Sequence, residues 1–254
     1  NKIIRAVGDP NIRFKEDALR MLRAIRFSCQ LNFSMEEKTY LALKNKSYLI
    51  KNISIERIRD ELCKILISNN PVIGLTLLQE TGILKIILPE IDALVEYTPK
   101  CNNHNRDVFK HTLKVIDNTK NTNSNNNLIL RLSALFHDVG KLNTLQTSPS
   151  GRYYFPGHSI ESSKMTKEIL TRLRFDNNTI NRVSVIIFDH LVLNVDYMPN
   201  DYEIKQLLNR VSANNIFILF DLQRADINSL WTPAPFLKKV DYMESRVTEI
   251  LNNN

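Results

Sequence analysis

The residues of this chain most suited to chemistry are histidines and aspartates in its second half. His137 and Asp138 are adjacent, so an imidazole and a carboxylate can reach one cavity. The full series is His111, His137, Asp138, His158, His190 and Asp226. Imidazole nitrogen and carboxylate oxygen bind divalent metal ions when they converge from separate elements. The series therefore predicts a divalent metal site, although each residue taken alone is more typical of a structural role.

A second candidate pair lies near the N-terminus. Asp17 and Arg20 are three residues apart, which places them side by side on the face of a helix. Spacing alone predicts an exposed ion pair that contributes a fraction of a kcal/mol.

The elements that must position these residues are helices. Apolar residues recur with helical spacing nearly throughout and the chain has only six glycines, so the sequence predicts an all-α fold. One predicted helix holds His111, and another is opened by Pro71 and ended by Gly82. The other predicted helices cover residues 14–30, 36–46, 55–67, 128–138, 159–173, 178–191, 201–211, 216–227 and 236–251. Gly140 is expected to break the helix that carries His137.

The buried positions of two helices bear on the candidate sites. In the helix over residues 14–30 one arc gathers Ala18, Leu22, Ile25 and Cys29. Asp226 lies in the mostly apolar helix over residues 216–227, where a carboxylate needs a partner. That partner could be a cation, Arg224 or a helix terminus.

The composition indicates a basic globular protein. With 254 residues and 43% hydrophobic content, the chain can bury a core. The composition becomes more polar around residues 88–100, where two prolines also occur, and this predicts two domains, at residues 1–98 and 99–254. The net charge of +7 favours a polyanionic partner, although many cytosolic proteins are mildly basic. No apolar run approaches the ~20 residues that cross a bilayer. Three cysteines without Cys-x-x-Cys spacing are typical of the reducing cytoplasm.

Three segments carry the histidine and aspartate series. They are VFKHTL at 108–113, ALFHDVGK at 134–141 and RAD at 224–226. Together they resemble the HD-domain phosphohydrolase superfamily. The resemblance implies an α-helical bundle whose primary metal ligands are His111, His137, Asp138 and Asp226. His158 and His190 match the extra histidines of HD proteins that hold a second metal or bind phosphate.

The resemblance also implies a chemistry. A divalent ion, with Mg, Mn, Ni and Co as candidates, would support phosphoester hydrolysis. Lys141 would then stand near a substrate phosphate as a catalytic residue, or be an exposed lysine at a helix end. His104 lies in a predicted loop, where no ligand role is expected.

The N-terminal half carries a second set of segments. They are IRAVGDP at 4–10, RFKEDALRMLRAIRF at 13–27, SIERIRDEL at 54–62, ETGIL at 80–84 and LPE at 88–90. This set resembles the class II tRNA nucleotidyltransferases, which comprise the CCA-adding enzymes and related bacterial poly(A) polymerases. The resemblance implies a helical neck region followed by an HD-type helical bundle. It also implies that Glu16, Asp17 and Arg20 form an amino-acid template that binds the base of CTP or ATP.

Hydrogen-bond chemistry is consistent with such a template. The Asp17 carboxylate offers only acceptors and the Arg20 guanidinium only donors. Cytosine and adenine each present an exocyclic amine beside a ring-nitrogen acceptor, whereas guanine and uracil present a carbonyl beside a ring N–H. A mismatched base leaves buried polar groups unpaired, which discriminates strongly. The implied partners are therefore tRNA and CTP or ATP.

The chain departs from the family pattern at its start. The family's catalytic head, with a Gly-Ser loop and an Asp-x-Asp pair, should precede the neck, and neither motif occurs here. We therefore expect a C-terminal part of a longer protein. Three hypotheses stay open: a tRNA nucleotidyltransferase fragment, a metal-dependent phosphohydrolase acting on tRNA ends or cyclic nucleotides, and a tRNA-binding body with a vestigial HD pocket. The sequence does not separate CCA addition from CC-only, A-only or poly(A) addition.

Overall fold

A computed structural model describes residues 1–95, 97, 107–123, 127–151, 153–193, 197–229 and 234–253. Cys101 and His104 lie outside these residues. Helices dominate the described part, so the predicted all-α fold is confirmed. No helix within these ranges is long and apolar enough to cross a membrane.

The first half of the chain is a set of short helices. They are α1 (Pro10–Glu16), α2 (Leu19–Leu31), α3 (Glu37–Lys46), α4 (Ile55–Leu66), α5 (Pro71–Glu80), α6 (Ile83–Ile87) and α7 (Pro89–Asp92), with a 3₁₀ helix at Ser47–Asn52. Strand β1 (Ile3–Ile4) pairs in parallel with β2 (Ser34–Met35). Gly82 has φ 74°, a left-handed conformation that glycine adopts freely, which explains why α5 ends just before it.

The second half is a helical bundle. Its helices are α8 (Val108–Asn118), α9 (Leu128–Phe136), α10 (Lys141–Thr144), α11 (His158–Arg172), α12 (Asn177–Asp189), α13 (Asp201–Val211), α14 (Ala213–Ile227) and α15 (Ala234–Asn252), with a 3₁₀ turn at Thr119–Asn121. Strands β3 (Gln146–Thr147) and β4 (Tyr153–Tyr154) form an antiparallel hairpin between α10 and α11. Helix α14 packs against α8, α9, α12, α13 and α15, so it lies at the centre of the bundle.

The helix predicted over residues 14–30 is two helices instead. Asp17 separates α1 from α2, with extended backbone angles of φ −150° and ψ 104°. Its carboxylate accepts a hydrogen bond from the Leu19 N–H at 3.1 Å, which satisfies a donor at the start of α2. The predicted buried arc is confirmed, because Ala18, Leu22, Ile25 and Cys29 are all buried.

One hydrophobic core runs through both halves of the chain. It includes Phe14 near the start and Ile250 near the end. Helices α4 and α5 pack on α9 and α8, and an ion pair of 2.6 Å joins Arg172 of α11 to Glu90 of α7. The predicted division between residues 98 and 99 falls outside the described residues and stays a prediction.

Candidate metal centre and neck site

The six predicted metal ligands come from separate elements of the bundle. His111 lies on α8, His158 is the first residue of α11, and Asp226 lies near the end of α14. His137 and Asp138 follow α9, and His190 follows α12. The structure brings all six together in two groups, within each of which the ligand atoms lie within 4.8 Å of one another. The groups are His111, His137 and Asp226, and Asp138, His158 and His190.

The Asp138 carboxylate lies between the two groups. Its Oδ2 atom is 3.3 Å from His111 Nε2 and 3.2 Å from His137 Nε2. Its Oδ1 atom is 3.4 Å from His158 Nε2. Because the two oxygens face different groups, this carboxylate is placed where two cations could share it.

The imidazole rings are fixed through their Nδ1 atoms. Those of His137, His158 and His190 lie 3.0, 2.9 and 2.6 Å from the carbonyl oxygens of Ala134, Phe155 and Ile187. His111 Nδ1 lies 3.1 Å from the Ser229 hydroxyl. A carbonyl oxygen only accepts, so Nδ1 of His137, His158 and His190 carries the proton in these contacts. The Nε2 atom of each of these rings is then the one available as a metal ligand.

Charge in the centre favours ionised carboxylates. Burial opposes ionisation of Asp138, but His137 and Lys141 hold its pKa well below the usual range. Burial likewise opposes ionisation of Asp226, yet the hydrogen bond from His111 lowers its pKa to about 2. Burial disfavours the charged form of His111, while hydrogen bonds to both carboxylates raise its pKa to about 9. Burial, together with the neighbouring His137, lowers the pKa of His190 to about 4.

Asp226 is only partly buried, with a quarter of its side chain exposed. Its Oδ1 atom lies 3.2 Å from His111 Nε2. Arg224, the alternative partner, instead pairs with Asp241 at 2.9 Å and with Glu244 of α15. The structure therefore directs Asp226 to the candidate metal centre.

Lys141 lies at the edge of this centre. Its ammonium is 2.6 Å from Asp138 Oδ2 and 5.5 Å from the centroid of the Phe155 ring. Only a fifth of its side chain is exposed, which is less than an exposed lysine at a helix end would show. The Phe155 ring also lies 6.4 Å from the His158 ring. No spacing in the sequence pointed to Phe155 or to Ser229.

Gly140 allows the approach of two elements that carry ligands. It does not break a helix as expected, because α9 has already ended at Phe136 and Gly140 has helical angles, with φ −69°. A Cβ atom there would lie 2.4 Å from Ser162 N and 2.6 Å from His158 O. The Gly140 N–H donates to the Ser162 hydroxyl at 2.9 Å. The missing side chain therefore lets the start of α11 reach the turn that holds Asp138.

The neck residues are arranged differently from the prediction. Asp17 and Arg20 do not share one helical face, because the chain leaves the helical conformation at Asp17. Arg20 Nη1 instead lies 2.6 Å from Glu16 Oε2, which also accepts from Arg13 Nη1 at 2.6 Å. Arg57 of α4 approaches the Asp17 carboxylate to 3.4 Å.

Arg20 lines a cavity of about 230 Å³ beside β1, α1 and α2. Its apolar wall includes Ile4, Val7, Phe14 and Phe27. Its cationic side is formed by Arg5, Arg13, Arg20 and Arg23. An apolar wall beside guanidinium groups suits a ligand that has both a flat ring and a negative charge.

Two family models match the chain. The model described as "Probable RNA and SrmB- binding site of polymerase A" matches residues 32–95, and the HD domain model matches residues 108–214. Five of the predicted metal ligands lie inside the HD match, whereas Asp226 and the residues Glu16, Asp17 and Arg20 lie outside both matches.

Several similar proteins act on tRNA according to their names. The A-adding tRNA nucleotidyltransferase of Deinococcus radiodurans is 32% identical over 197 residues, which cover 75% of this chain and 45% of the relative. The CC-adding tRNA nucleotidyltransferase of Thermus thermophilus is 31% identical over 192 residues, which cover 73% and 43%. The chain thus spans less than half the length of these curated relatives.

The fold also matches solved structures. The CCA-adding enzyme of Bacillus stearothermophilus in complex with CTP aligns with a TM-score of 0.54 at 21% identity, over 96% of this chain and 50% of that one. At this identity the likeness shows a shared fold.

Proposed function

Since the chain belongs to the class II tRNA nucleotidyltransferase family and matches its neck and HD regions, we propose that it selects the base and binds the tRNA in an enzyme that adds CCA, or part of CCA, to tRNA 3′ ends. The observation that carries this proposal is the cavity at Arg20, which combines an apolar wall with guanidinium groups. The partners are tRNA and CTP or ATP. The relatives are named for adding A, CC or the whole of CCA.

The proposed template consists of Asp17 and Arg20, with Glu16 in support. About a quarter of the Asp17 side chain and a third of the Arg20 side chain are exposed, so both are accessible to a ligand. Arg20 is held by Glu16 at 2.6 Å and by the Arg13 carbonyl oxygen at 3.0 Å. Glu16 therefore orients the guanidinium, and a bound base would accept from the donors that remain.

Nucleotide addition by a fusion protein tests this function. The chain would be joined to the part of the Deinococcus radiodurans relative that it does not cover. The fusion protein would be given a tRNA that lacks the whole 3′-terminal CCA, or one that lacks only the terminal A, with each labelled nucleoside triphosphate in turn. We expect CTP or ATP to be incorporated and GTP and UTP to be rejected. Failure to extend the tRNA, under conditions where the intact relative is active, would refute the proposal.

A second activity is supported by the converged ligands of the bundle. We propose that His111, His137, Asp138 and Asp226, joined by His158 and His190, hold divalent metal of the Mg, Mn, Ni or Co kind. The fit rests on nitrogen and oxygen donors alone, with every ring fixed through Nδ1. A bound ion of this kind lowers the pKa of its water and screens phosphoryl charge.

The residues around the centre suit phosphoester hydrolysis on tRNA ends or cyclic nucleotides. Lys141 would bind a phosphoryl oxygen at the mouth of the centre, since its ammonium lies beside Asp138. Two reactions would be measured with each metal: opening of a nucleoside cyclic phosphate to the monophosphate, and release of phosphate from a tRNA 3′-phosphate. Asp138→Asn is expected to abolish hydrolysis, while the matched control Asp117→Asn, at an exposed position of α8, keeps it. Hydrolysis that is equal in the two variants would exclude this activity.

Two further assignments follow from the family. We propose that the neck comprises residues 1–98 and the HD domain residues 99–254, in keeping with family matches that end at 95 and begin at 108. We also propose a cytoplasmic location, supported by free thiols at Cys29 and Cys63.

A further inference from the structure

Three groups that are positive, or become so on protonation, approach Asp138 Oδ2. One carboxylate oxygen cannot bind all three at once. The Lys141 ammonium lies 2.6 Å away, and the Nε2 atoms of His111 and His137 lie 3.3 and 3.2 Å away. We infer that Lys141 is an exchangeable counter-ion of Asp138: a divalent cation displaces it, and the released ammonium then binds the anionic group of the substrate. This inference rests on the proposed metal centre.

Competition follows from the shared oxygen. A metal ligated by Asp138 Oδ2 would stand about 2 Å from this atom, and the Lys141 ammonium stands 2.6 Å from the same atom. Asp138 is almost fully buried, so water screens the two positive charges poorly. The two cations therefore exclude each other from this oxygen. The ammonium yields because a divalent ion carries twice the charge and is also bound by the neighbouring imidazole nitrogens.

The ammonium already has a second partner that it can keep when the metal displaces it from Asp138. The Phe155 ring centroid lies 5.5 Å from Lys141 Nζ, and an aromatic face binds an ammonium group. Phe155 is partly buried but is not among the residues packed on the hydrophobic core, and its ring lies next to His158. Phe155 thus forms part of the wall of the metal centre.

The backbone of Lys141 is held in place, whereas its long side chain is flexible. The Lys141 carbonyl oxygen accepts a hydrogen bond from the Tyr97 hydroxyl at 3.4 Å. The exchange is therefore confined to the flexible four-carbon stem of the side chain. Metal binding and anion binding become coupled, because the ammonium is free to bind an anion only after the metal has taken Asp138.

The first test is the affinity for Mn²⁺, measured by titration calorimetry. Lys141→Met removes the competing charge and should tighten Mn²⁺ binding on the order of tenfold. Lys141→Arg keeps the charge and should bind Mn²⁺ like the wild type. Lys167→Met, at an exposed position of α11, is the matched control and should also behave like the wild type. Unchanged or weaker Mn²⁺ binding by Lys141→Met would overturn the inference.

The second test is the affinity for sulfate, a tetrahedral dianion that stays soluble with Mn²⁺. We expect the wild type to bind sulfate on the order of tenfold more tightly with Mn²⁺ than with a chelator, and Lys141→Met to lose most of this gain. An equal gain in both proteins would overturn the inference. A wild type that binds no Mn²⁺ would instead refute the metal centre itself, so the two failures are distinguishable.

Discussion

Substitution of Gly140 by alanine is predicted to separate the two ligand groups of the metal centre. The added Cβ atom would lie 2.4 Å from Ser162 N, 2.6 Å from His158 O and 2.9 Å from Glu161 C. All three are backbone atoms of the first turn of α11, so no side-chain rotation can relieve the contact. The backbone angles of Gly140 are helical and suit alanine, which makes the effect purely steric.

The size of the effect follows from these distances. Ordinary contacts of a Cβ atom begin at 3.4 Å, so the start of α11 must move by about 1 Å. Overpacking of this kind costs about 1–3 kcal/mol of the free energy of unfolding. Metal–ligand distances tolerate shifts of only about 0.2 Å. Displacement of His158 should therefore weaken metal binding at its group by about 10- to 100-fold, as the loss of ligand orientation does elsewhere.

Urea denaturation and Mn²⁺ titration measure the two effects. Gly151→Ala is the control, because a Cβ atom there has no neighbour within 4 Å and only the positive φ of 76° is unfavourable. That control should lose about 1–2 kcal/mol of stability and bind Mn²⁺ like the wild type. The reasoning is refuted if Gly140→Ala unfolds at the wild-type midpoint and binds Mn²⁺ with full stoichiometry and affinity.

Three further predictions concern stability. In the neck, the Cβ atom of Gly74→Ala would lie 2.5 Å from both Cys29 Sγ and Ile65 Cγ2, so this variant should lose about 1–3 kcal/mol in urea denaturation. The added variant Cys29→Ala should restore part of the loss, and an unrestored loss would count against this packing. Glu61 is buried and lies 2.9 Å from Arg26 Nη1. Glu61→Gln should lower the free energy of unfolding by about 2–3 kcal/mol, because it leaves the guanidinium without its charge partner. The control Glu37→Gln, at an exposed position, should lower it by no more than about 0.5 kcal/mol. In the protein kept in chelator, the carboxylates beside His111 raise its pKa from 6.5 to about 9. Protonated His111 therefore stabilises the fold fully below pH 6.5, and this stabilisation is lost as the pH rises through 9. The melting temperature should fall over this range and fall less in His111→Gln; an equal fall in both proteins would contradict the assignment.

Much of the helical architecture was predictable from local signals. Helix α13 has the predicted bounds because Asn200 and Glu203 form a capping box at its start. Helix α5 begins at Pro71 as predicted, since proline suits the first helical position. Family resemblance predicted that the six ligands converge. Spacing alone did not, because each histidine taken singly could equally have a structural role.

The remaining features depend on contacts that periodicity does not encode. The apolar period continues across Asp17, so it does not predict the break between α1 and α2. The extended backbone of Asp17 and its side-chain hydrogen bond from the Leu19 N–H mark this break. Gly140 was interpreted as a helix breaker, whereas its role depends on the distance to α11. Phe155 and Ser229 reach the centre from a loop and from the end of α14, where no sequence pattern predicts a neighbour.

The choice of nucleotide by the Asp17→Ala variant tests whether this chain selects the base. The fusion protein with the Deinococcus radiodurans relative would extend a tRNA that lacks CCA, or only its terminal A, in an equal mixture of the four nucleoside triphosphates. The added bases would be sequenced. We expect C or A alone for the wild type. We expect extension without base preference for Asp17→Ala, because the carboxylate acceptor of the template is gone. An Asp17→Ala protein that still adds only C or A would refute the template role of Asp17.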